Sequence, residues 1–234
     1  MVQIVAAIAD DPLKNAIRAV HEGADMIEIR IDLLNPNIQV GSLHSLHSLL
    51  ELEDLKDAIE LPIIVTNRMR AEGGGFAGSE EERIKILLAA MEMADLVDIE
   101  LQTESEYRDA VVGRAKENGG SVIVSHHDFS ETPDRAVMRR ILSDCFNSGA
   151  DIAKLAVTPH SYLDALHLLE VTLDCASKSK SVCTIGMGEY GVHTRVIAPL
   201  YGSMLAYVSV GAATAPGQLS IRELKRTLAV LSCD

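Results

Sequence analysis

The chain has 234 residues, 47% of them hydrophobic, enough to bury a sizeable core in one large domain or two small ones. Its formal charge of -13, unbroken by any cluster of Lys and Arg, repels phosphate backbones and anionic lipid, so neither nucleic acid nor a membrane is an expected partner. The start, MVQIVAAIADDP, lacks a basic leader region, no apolar run approaches the roughly 20 residues needed to span a bilayer, and Cys145, Cys175, Cys183 and Cys233 show neither a C-x-x-C pair nor a disulfide framework, so a reduced, cytoplasmic compartment is expected.

Taken in chain order, residues 3–9 read as a first strand, followed by a helix that Asp11 and Pro12 are placed to open. Residues 26–32 form the second strand, in which Glu28, Arg30 and Asp32 share one face while Ile27, Ile29, Ile31 and Leu33 share the other. His44 and His47, in the local echo LHSLHSLL, are expected on the solvated face of a surface helix. The third strand, 62–68, ends on Arg68 and runs into RMRAEGGGFAGSEEE. That segment is a poor phosphate cradle, since it has no P-loop lysine and the next helix opens with three acidic residues. It is otherwise a flexible loop from which Glu72 can reach the fifth strand, and Ser79 with Glu82 forms a capping-box pattern for the following helix.

In the fourth strand, 96–101, Asp98 and Glu100 alternate with Val97, Ile99 and Leu101. The fifth, 121–127, ends in a histidine pair, with His127 on the face of Ile123 and Ser125 and His126 on the other. The pair with Asp128 invites a metal reading, but one strand end cannot supply a full ligand set and no H-E-x-x-H helix accompanies it. A general acid or base at His127, its ring oriented and made more basic by Glu72, fits better. The sixth strand, 151–157, carries Lys154 between Ala153 and Leu155. Burial there is expected to lower its pKa and leave an amine able to attack a carbonyl; the alternative is a structural lysine paired with a carboxylate. Strands at 181–187 and 206–211 follow, then the turn residues Ala215, Pro216 and Gly217 and a helix with Ile221, Leu224, Leu228 and Leu231 on one face.

Eight strand-helix units in 234 residues, with no linker or low-complexity stretch, predict a (β/α)8 TIM barrel occupying residues 1–234 as a single domain. In a barrel the apolar strand rows must meet the helices, so Glu28, Arg30, Arg68, Asp98, Glu100 and Lys154 point into the lumen. Such a set either shapes the barrel as a paired network or forms a site at the C-terminal strand ends; the cost of desolvating so many ions favours the site.

EIRID, TNRMRAEGG, VSHHDF, ADIAKLAV, MGEYGVHTR and TAPGQ, in that order and spread over nearly the whole chain, resemble the motif series of type I 3-dehydroquinate dehydratase. The resemblance implies a lyase that converts 3-dehydroquinate to 3-dehydroshikimate in the shikimate route to aromatic amino acids, with no metal and no organic cofactor. It implies Lys154 as the imine-forming amine, His127 as the proton shuttle and Glu72 as the carboxylate that orients it. Arg195 then grips the substrate carboxylate, Met187 packs on its ring, and Glu28, Arg30, Arg68, Thr214 and Gln218 contact its oxygens, with TAPGQ as a closing loop. The sequence departs from the family pattern at Thr214, where serine is frequent, at Ile185, where methionine is, and in having no N-terminal hairpin before the first strand. A homodimer is implied on the same ground. The competing readings are another metal-free Schiff-base barrel lyase of the aldolase type, which would need phosphate-binding glycines after the last two strands, and a noncatalytic barrel that binds a small acid.

Overall fold

The computed structural model describes residues 2–37, 52–211 and 214–231. His44, His47 and Cys233 lie outside them. Eight strands, β1 (Gln3–Ile8), β2 (Met26–Arg30), β3 (Ile63–Thr66), β4 (Leu96–Glu100), β5 (Ser121–His127), β6 (Ile152–Val157), β7 (Val182–Gly186) and β8 (Leu205–Ser209), form one sheet in the order β7-β6-β5-β4-β3-β2-β1-β8. Every paired ladder is parallel. A parallel bridge from Val182 to Ser203 and a 2.7 Å bond from Met204 N to Val182 O bring the two ends together. The result is the (β/α)8 barrel that eight strand-helix repeats dictate.

Strand pleating divides the core into two parts. Outward rows such as Ile27 and Ile29, Val97 and Ile99, and Ala153 and Leu155 pack beneath the helices. A smaller interior cluster, including Val5, Met26, Ile64, Leu96, Ile123, Ile152 and Leu205, fills the lumen below the charged residues. That plug lies toward the N-terminal strand ends, and the polar layer lines a cavity at the opposite end.

Local expectations are corrected in four places. β2 stops at Arg30 and the chain turns through one helical turn, Ile31–Leu34, because Asp32 leaves the ladder to accept bonds from Arg68 N and Gly75 N at 3.2 and 3.1 Å. Asp11 makes no side-chain cap: its backbone is left-handed at φ 39°, and the helix Pro12–Glu22 begins on proline. The last strand ends at Ser209, since Gly211 turns the chain at φ +80°. In the helix Ile221–Leu231, Ile221 and Leu224 are buried but Leu231 is exposed, and Ser220 with Glu223 caps its start. The capping box at Ser79 and Glu82 forms as expected.

Candidate active site

Lys154 lies on the inward row of β6, opposite Ser125 of β5 and Cys183 of β7, and is only 4% exposed. Its Nζ donates to Asp98 Oδ2 at 2.9 Å, lies 3.8 Å from Glu28 Oε1, and sits 4.0 Å from the centroid of the Tyr207 ring. The amine is therefore inside the cylinder, ion-paired and in contact with an aromatic face.

Asp98 is the hub beneath it. Arg68 Nη1 donates to Asp98 at 3.0 Å, to Glu100 at 2.9 Å and to Ser125 at 2.6 Å, and Ser125 Oγ donates to Asp98 at 2.6 Å. Burial opposes the Asp98 carboxylate, but Arg68 and Lys154 overcome it and hold the group well below the usual carboxylate range. Glu100 takes a second arginine, Arg83, at 2.9 Å. The inward charges expected from strand parity are all present, and they neutralise one another in fixed pairs.

His127 and Glu72 meet as expected. Glu72 Oε2 lies 2.8 Å from His127 Nδ1 and accepts the His127 backbone N–H at 2.8 Å, so the carboxylate fixes both ring and strand end. The segment bearing Glu72 is a 3-10 turn, Arg70–Glu72, that buries Glu72 and leaves Arg70 and Ala71 exposed. A Cβ on Gly74 would lie 1.8 Å from Arg68 O and one on Gly75 2.7 Å from Asp32 O, so close backbone packing requires these glycines, with no anion involved. Burial, with Arg68 and Lys154 as like charges, pushes His127 well below its ordinary value. The net direction is opposite to the rise in basicity expected from Glu72, because desolvation and the two cations set it. Burial pushes Glu72 up to about 8, with Glu100 adding to the rise and Arg68 opposing it. His126 Nδ1 lies 3.2 Å from Gln102 Nε2 and 3.9 Å from Glu72 Oε1, so the second Glu72 oxygen is on the His126 side.

Glu28, Arg30, Arg68, Glu72, His127, Lys154, Met187, Arg195, Thr214 and Gln218 all line one cavity at the C-terminal strand ends. Arg30 is held by Asp32 at 3.0 and 2.7 Å. Arg195, on the helix Thr194–Leu200, donates to Pro216 O at 2.8 Å, and its buried Nε has no partner among the described residues. Burial lowers it to about 10. Gln218 Oε1 accepts from Thr214 N and Ala215 N at 2.7 and 3.2 Å, tying the TAPGQ loop to itself. Among the described residues no group of three or more His, Cys, Asp or Glu is placed to hold a metal ion.

The model of the type I 3-dehydroquinase family matches residues 1–233. The chain belongs to the type I 3-dehydroquinase family. A 3-dehydroquinate dehydratase of Methanococcoides burtonii is 47% identical over 228 residues, covering 97% of this chain and 94% of its relative. The crystal structure of 3-dehydroquinate dehydratase from Geobacillus kaustophilus superposes with a TM-score of 0.90 at 28% identity, covering 100% of this chain and 92% of that one. That of the type I enzyme from Clostridium difficile with covalently modified comenic acid gives 0.88 at 29% identity, covering 98% and 92%.

The sequence placed Asp98 in the lumen and offered a lysine–carboxylate pair as the alternative without naming Asp98 as the partner, and it did not single out Tyr207, Ser125 or Phe129 as site residues. Parity along β5 and β8 could have flagged Ser125 and Tyr207 as inward. Phe129 lies beyond a strand end, where alternation gives no signal. Gly186, which ends the seventh strand, and Gly191 beyond it are accounted for by packing on each other, since a Cβ on Gly191 would lie 2.4 Å from the Gly186 carbonyl carbon. Among the described residues no helix is long and apolar enough to cross a membrane.

Proposed function

We propose that this chain is a lyase that dehydrates 3-dehydroquinate to 3-dehydroshikimate in the shikimate route, through an imine on Lys154. The observation that carries the reading is a lysine amine inside the barrel, facing the same cavity as a histidine whose other nitrogen is held by a carboxylate. His127 takes a proton from the Lys154 ammonium, the free amine adds to the C3 carbonyl, and that proton returns to the oxygen, whose loss as water leaves an iminium. The iminium withdraws electrons from C2, His127 takes a C2 proton, and the electron pair moves to form an enamine. The enamine expels the C1 hydroxyl, which leaves as water with the proton from His127. A second water hydrolyses the conjugated iminium and frees Lys154, so the net change is loss of one water.

Glu72 orients the imidazole, and its removal leaves the His127 ring without its 2.8 Å partner. Arg195, with a desolvated guanidinium and an unpartnered Nε, suits the substrate carboxylate, since its planar fork binds both oxygens. Glu28, Arg30, Arg68, Thr214 and Gln218 contact the remaining oxygens, and Met187 packs on the ring; all line the cavity. Arg68 and Gln218 act mainly through their bonds within the protein, Arg68 by holding Asp98 and Gln218 by shaping the loop. The net charge and the reduced cysteines fit a cytoplasmic enzyme.

The same reading makes the enzyme a homodimer. Tyr162, Leu163, Leu166 and Leu173 lie exposed on one side of the helix Tyr162–Ala176, and Tyr162 meets Tyr190 edge-on at 5.3 Å, extending an apolar stripe. In an acidic chain such a stripe is where two copies can approach without charge repulsion.

Borohydride added with 3-dehydroquinate is expected to fix a covalent adduct on Lys154, and the enzyme without borohydride is expected to generate a conjugated enone absorbance. Lys154→Ala should lose both signals while keeping its circular dichroism; turnover by that variant would remove the nucleophile from the mechanism.

A further inference from the structure

Tyr207 has no part in the steps above. It lies on the inward row of β8, opposite Val5, is 6% exposed, and lines the cavity. Packing explains its ring, which lies against the Lys154 nitrogen at 4.0 Å. It does not explain the hydroxyl, which is buried and has no hydrogen-bond partner among the described residues. A phenol in that state has lost its bonds to water and gained none, whereas phenylalanine would fill the same space without the loss. Another buried atom without a hydrogen-bond partner among the described residues, Arg195 Nε, belongs to a residue lining the same cavity. Two incomplete polar groups from separate elements, both on residues that line one void, are the pattern a polar ligand completes. Burial, with Glu28 and Asp98 as nearby negative charges, holds the phenol well above its ordinary value, so it is present as a neutral donor and not as a base.

The ring has a separate task. Lysine reaches its target on a flexible four-carbon stem, and imine formation needs the nitrogen held on one side of the carbonyl. Asp98 fixes an Nζ hydrogen and the Tyr207 face attracts the cation, so two partners of different chemistry restrain the stem. The iminium carries its positive charge on the same nitrogen, and the ring serves it equally.

We propose that Tyr207 is a substrate-contacting residue whose hydroxyl donates a hydrogen bond to an oxygen of the bound polyhydroxylated keto acid, while its ring face positions the Lys154 nitrogen for imine formation. This rests on the dehydratase reading above. Two variants separate the two tasks, since Tyr207→Phe removes only the hydroxyl and Tyr207→Met removes the aromatic face as well. Tyr207→Phe is expected to raise KM for 3-dehydroquinate about tenfold, to leave kcat within about twofold, and to melt at the wild-type temperature or above. A purely structural tyrosine would do the reverse, lowering the melting temperature and sparing KM. Tyr207→Met is expected to slow borohydride trapping of the imine by a further factor of about ten, because the nitrogen loses its aromatic restraint. A wild-type KM in Tyr207→Phe would overturn the hydroxyl contact, and trapping in Tyr207→Met at the rate of Tyr207→Phe would overturn the role of the ring. Turnover by the wild-type enzyme is measured first: its absence overturns the dehydratase reading, and its presence with either of those results overturns this inference alone.

Discussion

The 2.8 Å contact between Glu72 Oε2 and His127 Nδ1 joins two groups that burial pushes in opposite directions, the carboxyl up to about 8 and the imidazole well below its ordinary value. So close a pair titrates as a unit. When the extra proton lies on the ring, or on Oε2 donating to Nδ1, the remaining ring nitrogen offers no lone pair. Loss of that proton leaves Nδ1–H donating to the carboxylate and Nε2 bare, the form that can accept a proton from carbon. The expected result is a kcat/KM that rises with pH through the titration of the pair and levels above about 8. In Glu72→Gln only the imidazole titrates, and burial with Arg68 and Lys154 holds it low, so the ascending limb should move to the acid side. A pH profile whose limb stays in place would show that some other group sets it.

Among the elements, the turn from Arg68 to Gly75 does most to position the site. It carries Glu72 to His127, and its backbone N–H groups at Arg68, Met69 and Gly75 are received by Asp32 and Glu100. That compactness requires glycine where the chain passes over itself: at Gly74 a Cβ would meet the Arg68 carbonyl oxygen at 1.8 Å, and backbone cannot yield as a flexible side chain does. Gly74→Ala is expected to destabilise the protein by about 1–3 kcal/mol, as overpacking does, and to lower kcat by displacing Glu72. Gly113, inside the helix Ser105–Glu117, would meet nothing within 4 Å if it carried a methyl group, and it serves as the control. Gly113→Ala should stabilise by about 0.5–1 kcal/mol from helix entropy alone. Urea midpoints compare the two, and equal shifts would refute the packing argument.

At the scale of the whole molecule, the stripe on the helix Tyr162–Ala176 is flanked by the Arg135–Glu170 and Arg139–Asp174 ion pairs that join this helix to its neighbour, Glu170 lying one turn beyond Leu166. Leu166→Glu would place a new negative charge on the stripe of each copy. Sedimentation equilibrium is expected to find the wild-type chain as a dimer and the variant as a monomer with intact secondary structure. A wild-type monomer would overturn dimerisation itself; a dimeric variant would move the interface elsewhere.

Alternation of side chains along a strand is a local property of the pleat, and this is why the lumen placement of Glu28, Asp98, Glu100 and Lys154 was legible from residue order alone. Repetition of the strand-helix unit determined the barrel for the same reason, since each unit must cover its apolar strand row. Partnership is different in kind. Lys154 and Asp98 are 56 residues apart and Asp98 and Arg68 are 30 apart, and which charges touch follows from the register of neighbouring strands around the closed sheet. The departure of Asp32 from β2, the fall in His127 basicity and the unpartnered hydroxyl of Tyr207 likewise arise where several elements meet. The sequence by itself determined which faces are apolar and which residue types reach the lumen. Only tertiary structure decided which of those groups pair, which remain incomplete and how burial sets their charge, because desolvation and Coulomb interactions depend on distances that no local pattern encodes.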